Sequence, residues 1–202
     1  MSFEALHIKD EQLLWEKFLA GDRYAYECLY RKYIEVLFSY GMCFTSDREL
    51  VKDCVQDVFV KIYTNRSNLN HTDNVRLYLF IALKNTLFNV FDKNNSLYQI
   101  DTVEPVFTVE YSIEDELIAD ELQQEQQDKI NQILNMLTPR QKEVMYCRYV
   151  KGLSLNEICE IMQMNYQSVQ NLIQRSIKRI HTAIVEKENY PLCIKMRSRY
   201  KG

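Results

Sequence analysis

The chain has 202 residues, 47% of them hydrophobic, and its formal charge of −3 with a pI near 5.7 argues against a free-standing DNA binder, whose domain is ordinarily basic. That length buries one or two small cores, and only four Gly and three Pro point to an all-α protein. No apolar run approaches a membrane span and the N-terminus lacks a signal-peptide pattern, so the expectation is a cytoplasmic protein without membrane insertion.

The six cysteines, Cys28, Cys43, Cys54, Cys147, Cys159 and Cys193, contain no C-x-x-C pair, which favours reduced thiols over a disulfide framework or a metal site. The histidines His7, His71 and His181 have no metal spacing, no Gly-rich phosphate loop is present, and the scattered carboxylates lack an obvious partner. An enzyme is therefore not expected, nor a cofactor or a metal.

In chain order, Leu13, Leu14, Trp15, Phe18 and Leu19 give a first helix that stops at Gly21. Asp22 can cap a second, with Tyr26, Leu29, Tyr30, Tyr33, Val36, Leu37 and Tyr40 on one broad face and an end at Gly41. Ser46 with Glu49 reads as a capping box opening a third helix to about Tyr63. Its core stripe is Val51, Val55, Val58, Phe59 and Ile62. A polar segment, Asn65 to Asn74, precedes a fourth helix from Val75 to about Lys93. There Arg76, Lys84, Asn85, Asn89 and Lys93 stand beside Tyr78, Phe80, Phe88 and Phe91, and composition leaves open whether these rings are core or a stacking surface for single-stranded bases.

From Asp101 to Lys129 ten carboxylates face one lysine, whereas from Tyr166 onward eight Lys and Arg face two Glu. An acidic linker thus hides a basic C-terminal module. Within that module Thr138, Pro139 and Gln141 write a capping box, Gly152 marks an end, and Ser154 with Glu157 writes a second box. Ile158, Cys159, Ile161 and Met162 form the apolar face of the helix that follows. After the turn Gln163, Met164, Asn165, the Asn165 side chain can cap a last helix whose core face reads as Val169, Leu172, Ile173, Ile177, Ile180 and Ile184. Ser168, Gln170, Asn171, Gln174, Arg175, Lys178 and Arg179, with Gln167, fall between them, where amides pair with base edges and cations with phosphates. This is the layout of a helix-turn-helix DNA reader.

The two halves, in this order, resemble the bacterial extracytoplasmic-function sigma factors, the smallest class of the sigma-70 family, over roughly residues 10–95 and 130–185. DRELVKDCVQDVFVKIY is similar to the family's core-polymerase-binding helix through Asp53, Gln56, Asp57 and Phe59. NVRLYLFIALKNTLFNVFDK is similar to its promoter-melting and −10-reading helix, and LTPRQKEVMYCRYVKGLSLNEICEIMQMNYQSVQNLIQRSIKRI to its −35-reading domain.

The resemblance implies an initiation factor with core RNA polymerase and promoter DNA as partners and, as for many members, an anti-sigma factor. It also implies that Asn68, Asn70 and His71 capture a flipped −10 base, with Arg76, Tyr78, Lys84, Asn85, Asn89 and Lys93 beside them, and that the linker threads the channel used by RNA. The domains would be 10–95, a linker 96–129, 130–185, and a solvated basic tail 186–202. The sequence departs from the family pattern at Tyr78, usually Trp; Asn89, usually Asp; Asp92, usually Arg; Gln163, usually Gly; and Leu172, commonly Arg. Two other readings are a stand-alone helix-turn-helix regulator, for which no dimerisation heptad or ligand-pocket pattern is present, and a decoy that only sequesters a regulator or polymerase.

Overall fold

A computed structural model describes residues 3–98, 107–109 and 131–197, with side chains described for 11–93, 107–109 and 131–185. The described residues are helical with no strand, and the chain divides into two units, Met1–Val106 and Phe107–Gly202.

The first unit contains α1 (Phe3–Leu19), α2 (Arg23–Gly41), α3 (Arg48–Thr64) and α4 (Val75–Tyr98). Gly21, at φ +95, turns the chain out of α1 in a conformation a β-carbon disfavours. Asp22 then caps α2, its carboxylate accepting from the Tyr24 and Ala25 N–H groups. Gly41 ends α2 for a different reason from the one expected of a helix-terminating glycine. A β-carbon there would lie 2.6 Å from Val51 Cγ1, so the missing side chain lets α2 and α3 approach closely. The cap of α3 is Asp47 and not Ser46: its carboxylate accepts from Leu50 N–H at 3.0 Å, and the helix starts one residue later than a Ser46–Glu49 box would place it.

Trp15, Phe18, Leu29, Leu37, Tyr40, Val51, Phe59, Phe80, Leu83 and Leu87 are all buried between these helices. Each such side chain stabilises the fold by roughly 1.5–3 kcal/mol relative to exposure. Glu11 fastens α1 to α2, accepting from the Tyr33 phenol and from Lys32 Nζ at 2.7 Å. Burial first, then the bond to Glu11, push the Tyr33 phenol above its ordinary pKa.

The second unit holds helical residues 131–135, α5 (Pro139–Met145), a π-helical turn (Tyr146–Val150), α6 (Leu155–Met162) and α7 (Tyr166–Arg197). Both capping boxes form, Thr138 with Gln141 and Ser154 with Glu157. Gly152 has φ +64 as a helix-ending residue should. Gln163 adopts the same left-handed region, φ 51 and ψ 47, without being glycine. α7 runs through Arg197, into the stretch the sequence reads as a tail.

The core face of α7 is rotated from the expected one. Val169 and Ile173 are buried, but Ile177 and Ile184 are 45% and 41% exposed, while Ser176 and Ala183 take the interior positions. The Ser176 hydroxyl satisfies itself by donating to the Leu172 carbonyl at 2.7 Å, so a polar residue enters the core without an orphaned group. Phe107–Val109, which the sequence assigns to the linker, belongs to this unit: Phe107 is 2% exposed and meets the Tyr146 ring edge-on at 5.7 Å.

Candidate nucleic-acid and polymerase interfaces

In the first unit a loop and one stripe of α4 converge. Tyr78, Asn85, Asn89 and Lys93 are spaced by seven, four and four residues, which puts them on one side of a helix advancing 100° per residue. Asn85, Asn89 and Lys93 are exposed and Tyr78 is half-buried. At the N-terminal end of this stripe lies the 65–74 loop, with Asn68, Asn70 and His71 all exposed, opening in a short 3-10 turn (Arg66–Asn68) and closing at Asn74, whose side chain accepts from Leu77 N–H.

The loop is held by α1, a role nothing in the sequence motifs announces. The buried Trp15 indole donates to the Asn70 carbonyl at 3.3 Å and its ring lies 5.6 Å from that of Tyr78. Gln12 donates to Asp73 at 3.3 Å, and Glu16 stands 4.0 Å from His71 Nδ1. One indole therefore touches both the loop and the helix stripe.

Two of the expected −10 residues point elsewhere. Arg76 lies over the buried Phe80 ring at 6.0 Å and close enough to Tyr33 to act on its charge, on the interior side of α4. Lys84 is 5.9 Å above Phe44 and 5.6 Å above Phe88, a cation–π seat on another flank. Asp92 is exposed, three residues after Asn89 and on the same face as the stripe.

On α3, Asp53, Gln56 and Asp57 are exposed, whereas Phe59 is only 1% exposed. Phe59 supports the surface from beneath, against Tyr30 at 4.8 Å and Tyr26 at 6.3 Å. Gln56 and Tyr30 stand on the ridge between two grooves of about 500 and 330 Å³, the larger floored by Ile34, Phe38 and Val55 and edged by Arg48, Lys52 and Glu35. This mixed apolar and charged surface suits a protein partner.

In the second unit Asn165 caps α7, accepting from Ser168 N–H at 2.8 Å. Gln167, Asn171, Gln174 and Lys178 follow at spacings of four, three and four, one face opposite the core, and Gln167 donates to Asn171 at 3.1 Å. Ser168 and Gln170 are half-buried at its edges. Arg175 and Arg179 are exposed on one flank, where with Lys178, Thr182 and Met136 they line a basic groove of about 380 Å³. The seven expected −35 residues thus share one helix, and the cations gather towards its middle. Among the described residues no group of three or more His, Cys, Asp or Glu could hold a metal ion, and no helix is long and apolar enough to cross a membrane.

The second unit carries a capped helix-turn-helix with a polar face, and the first carries an exposed polar loop beside an amide-bearing helix stripe, the features that a nucleic-acid interface requires. The family model for Sigma-70, region 4 matches residues 127–180. The chain is 24% identical over 152 residues to RNA polymerase sigma factor YlaC of Bacillus subtilis (strain 168), covering 74% of this chain and 86% of that protein. It is 20% identical over 171 residues to ECF RNA polymerase sigma factor SigX of the same organism, covering 81% and 86%. The chain is thus similar to extracytoplasmic-function sigma factors over most of its length, and to the region-4 model over residues 127–180.

Two solved structures share its fold. CnrH, in complex with the cytosolic domain of CnrY, superposes with a TM-score of 0.58 at 16% identity over 87% of this chain and 97% of that one. The sigma factor RpoE, in complex with the anti-sigma factor NepR from Bartonella quintana, does so with 0.57 at 19% identity over 78% and 95%.

Proposed function

We propose that this chain is a dissociable initiation factor that docks on core RNA polymerase in the bacterial cytoplasm and directs it to promoters carrying −10 and −35 elements. On this reading the exposed ridge of α3, with Asp53, Gln56 and Asp57, engages the polymerase, and Phe59 shapes it from below. The 65–74 loop, through Asn68, Asn70 and His71, and the α4 stripe of Tyr78, Asn85, Asn89 and Lys93 hold the melted −10 strand. The α7 face, through Gln167, Ser168, Gln170, Asn171 and Gln174 and the cations Arg175, Lys178 and Arg179, reads −35 duplex. Arg76 and Lys84 serve the first unit by seating on rings. An anti-sigma protein would compete for the grooves flanking Gln56.

The observation that carries this reading is the pairing, in one chain, of a helix-turn-helix unit matching the region-4 model with a first unit in which Trp15 joins a polar loop to an amide-bearing helix face. Reconstitution with core polymerase and mapping of transcript starts tests it. A defined set of starts is expected with the chain present, lost when Arg175 and Lys178 are both changed to Ala. Absence of any promoter-specific transcript, with polymerase binding no better than a control protein's, overturns it.

A further inference from the structure

The α4 rings that composition leaves open as core or stacking surface divide in the structure. Phe80 is fully buried, whereas Phe88 and Phe91 are half-buried and have no part in the function above. Spacings of four and three put Lys84, Phe88 and Phe91 on one stripe, turned by roughly 110° from the amide stripe of Tyr78, Asn85 and Asn89. Val75, Leu79, Leu83 and Leu87 are buried, and the line opposite them on the helix runs between Asn85 and Phe88. The two stripes are therefore neighbours.

The Phe88 ring is held in place by its own surroundings. Phe44, which is buried, meets it edge-on at 5.6 Å, and the Phe91 ring lies 6.2 Å away. Lys84 Nζ stands 5.6 Å from the centre of the Phe88 ring, so a cation and a fixed, partly open π face share one seat.

We propose that Lys84 and Phe88, backed by Phe91, form a second base-stacking seat for the melted strand: a base lies on the Phe88 ring and Lys84 meets its phosphate. The inference rests on the −10 reading above and adds a nucleotide that neither the 65–74 loop nor the amide stripe holds. Phe88 follows Asn85 by three residues, which on a helix leaves about 5–6 Å between β-carbons. That is one or two nucleotide steps at about 3.4 Å each. A strand lying along the amide stripe thus brings a neighbouring base to the ring. Stacking needs only a π face, so the seat accepts any base and selects for one that is unpaired.

The test uses the full-length chain bound to core polymerase and a −10 single strand in which 5-iodouracil, which crosslinks to a stacked aromatic ring on irradiation, replaces one base at a time. One position is expected to crosslink to Phe88. Phe88→Leu is expected to lose that crosslink and to hold the strand about five- to tenfold more weakly, while Phe88→Tyr keeps both. Lys84→Gln is expected to lower the slope of log affinity against log salt by about 0.7, the share of one phosphate on a single strand.

No crosslink to Phe88 at any position, or a strand held within twofold as tightly by Phe88→Leu, overturns the seat. So does a loss of polymerase affinity in place of strand affinity, which makes the rings a protein contact. Should Phe88→Leu lose helix content, Phe88→Tyr and Lys84→Gln decide, and an unchanged salt slope then overturns the proposal. If the wild-type complex holds no −10 strand, the promoter reading itself fails and the seat falls with it; a strand held equally well without the ring sinks the seat alone.

Discussion

Trp15 is the residue that ties the 65–74 loop to the α4 stripe proposed to hold the −10 strand. Phe at this position fills most of the same space but has no N–H for the Asn70 carbonyl, so the loop loses its bond to the buried indole. A neutral hydrogen bond is worth about 1 kcal/mol net, and Trp15→Phe should therefore weaken strand opening about fivefold. Polymerase affinity, assigned to α3 in the proposed reading, should stay as it was. Permanganate reactivity of −10 thymines beside a polymerase titration separates the two, and a parallel fall in both would assign Trp15 to the fold alone. Gln163 poses the opposite case. Its left-handed backbone costs an L-residue about 1–2 kcal/mol, partly offset by the greater freedom a glycine has in the unfolded chain. Gln163→Gly should stabilise the second unit by about 0.5–1 kcal/mol, seen as a higher transition temperature in calorimetry, and a lower one would show that the side chain contributes an interaction outweighing the strain.

At the scale of elements, α4 places a carboxylate on the face proposed to hold the −10 strand. Asp92 shares the face of Asn85 and Asn89 and is exposed. Asp92→Asn removes that repulsion without altering helix length or core, and should tighten binding to a −10 single strand in the polymerase complex by about two- to fivefold at low salt, less as salt screens it. An unchanged affinity across the salt range would place the strand away from this end of α4.

The same helix shows how much could be read beforehand. Its start at Val75 follows from sequence, whereas it runs on to Tyr98, past the end expected near Lys93; 100° per residue already sets Arg76 and Lys84 about 160° and 120° from the centre of the stripe that Tyr78, Asn85 and Asn89 define, and grouping residues by chemistry alone put them together. The helix starts at Asp22, Thr138, Ser154 and Asn165 were legible because a cap is a local bond between neighbours. At α3 two adjacent residues, Ser46 and Asp47, could both cap, and spacing could not choose between them. Ser176 in the core and Ile177 outside it reverse the polarity rule, because a hydroxyl bonded back to its own helix needs no solvent. The Trp15–Asn70 bond joins residues 55 apart, and the Phe107–Tyr146 contact is likewise non-local, so no short-range pattern contains either. The π-helical turn at Tyr146–Val150 left no mark that helical periodicity could detect.

For the whole molecule the governing quantity is where its charge sits. The chain's −3 is the sum of a strongly acidic middle and a basic end, and the middle is covalently bound to the end that meets DNA. Joined in one chain to Arg175, Lys178 and Arg179, these carboxylates would compete with duplex phosphates for those cations whenever nothing else engages them. Converting Glu114, Asp115, Glu116, Asp120 and Glu121 to their amides removes five charges, taking the formal total from −3 to +2 while leaving Phe107 and every described side chain as it is. The polymerase-free variant should then bind a −35 duplex about tenfold more tightly than wild type at low ionic strength, on the order of 1.4 kcal/mol, and the advantage should shrink as the Debye length falls below about 10 Å near 0.1 M salt. Fluorescence anisotropy across a salt series measures it. Equal affinities at the lowest salt would mean that the linker's charge never reaches the reader helix, and that dependence on polymerase comes from linking two weak sites and owes nothing to competition within the chain.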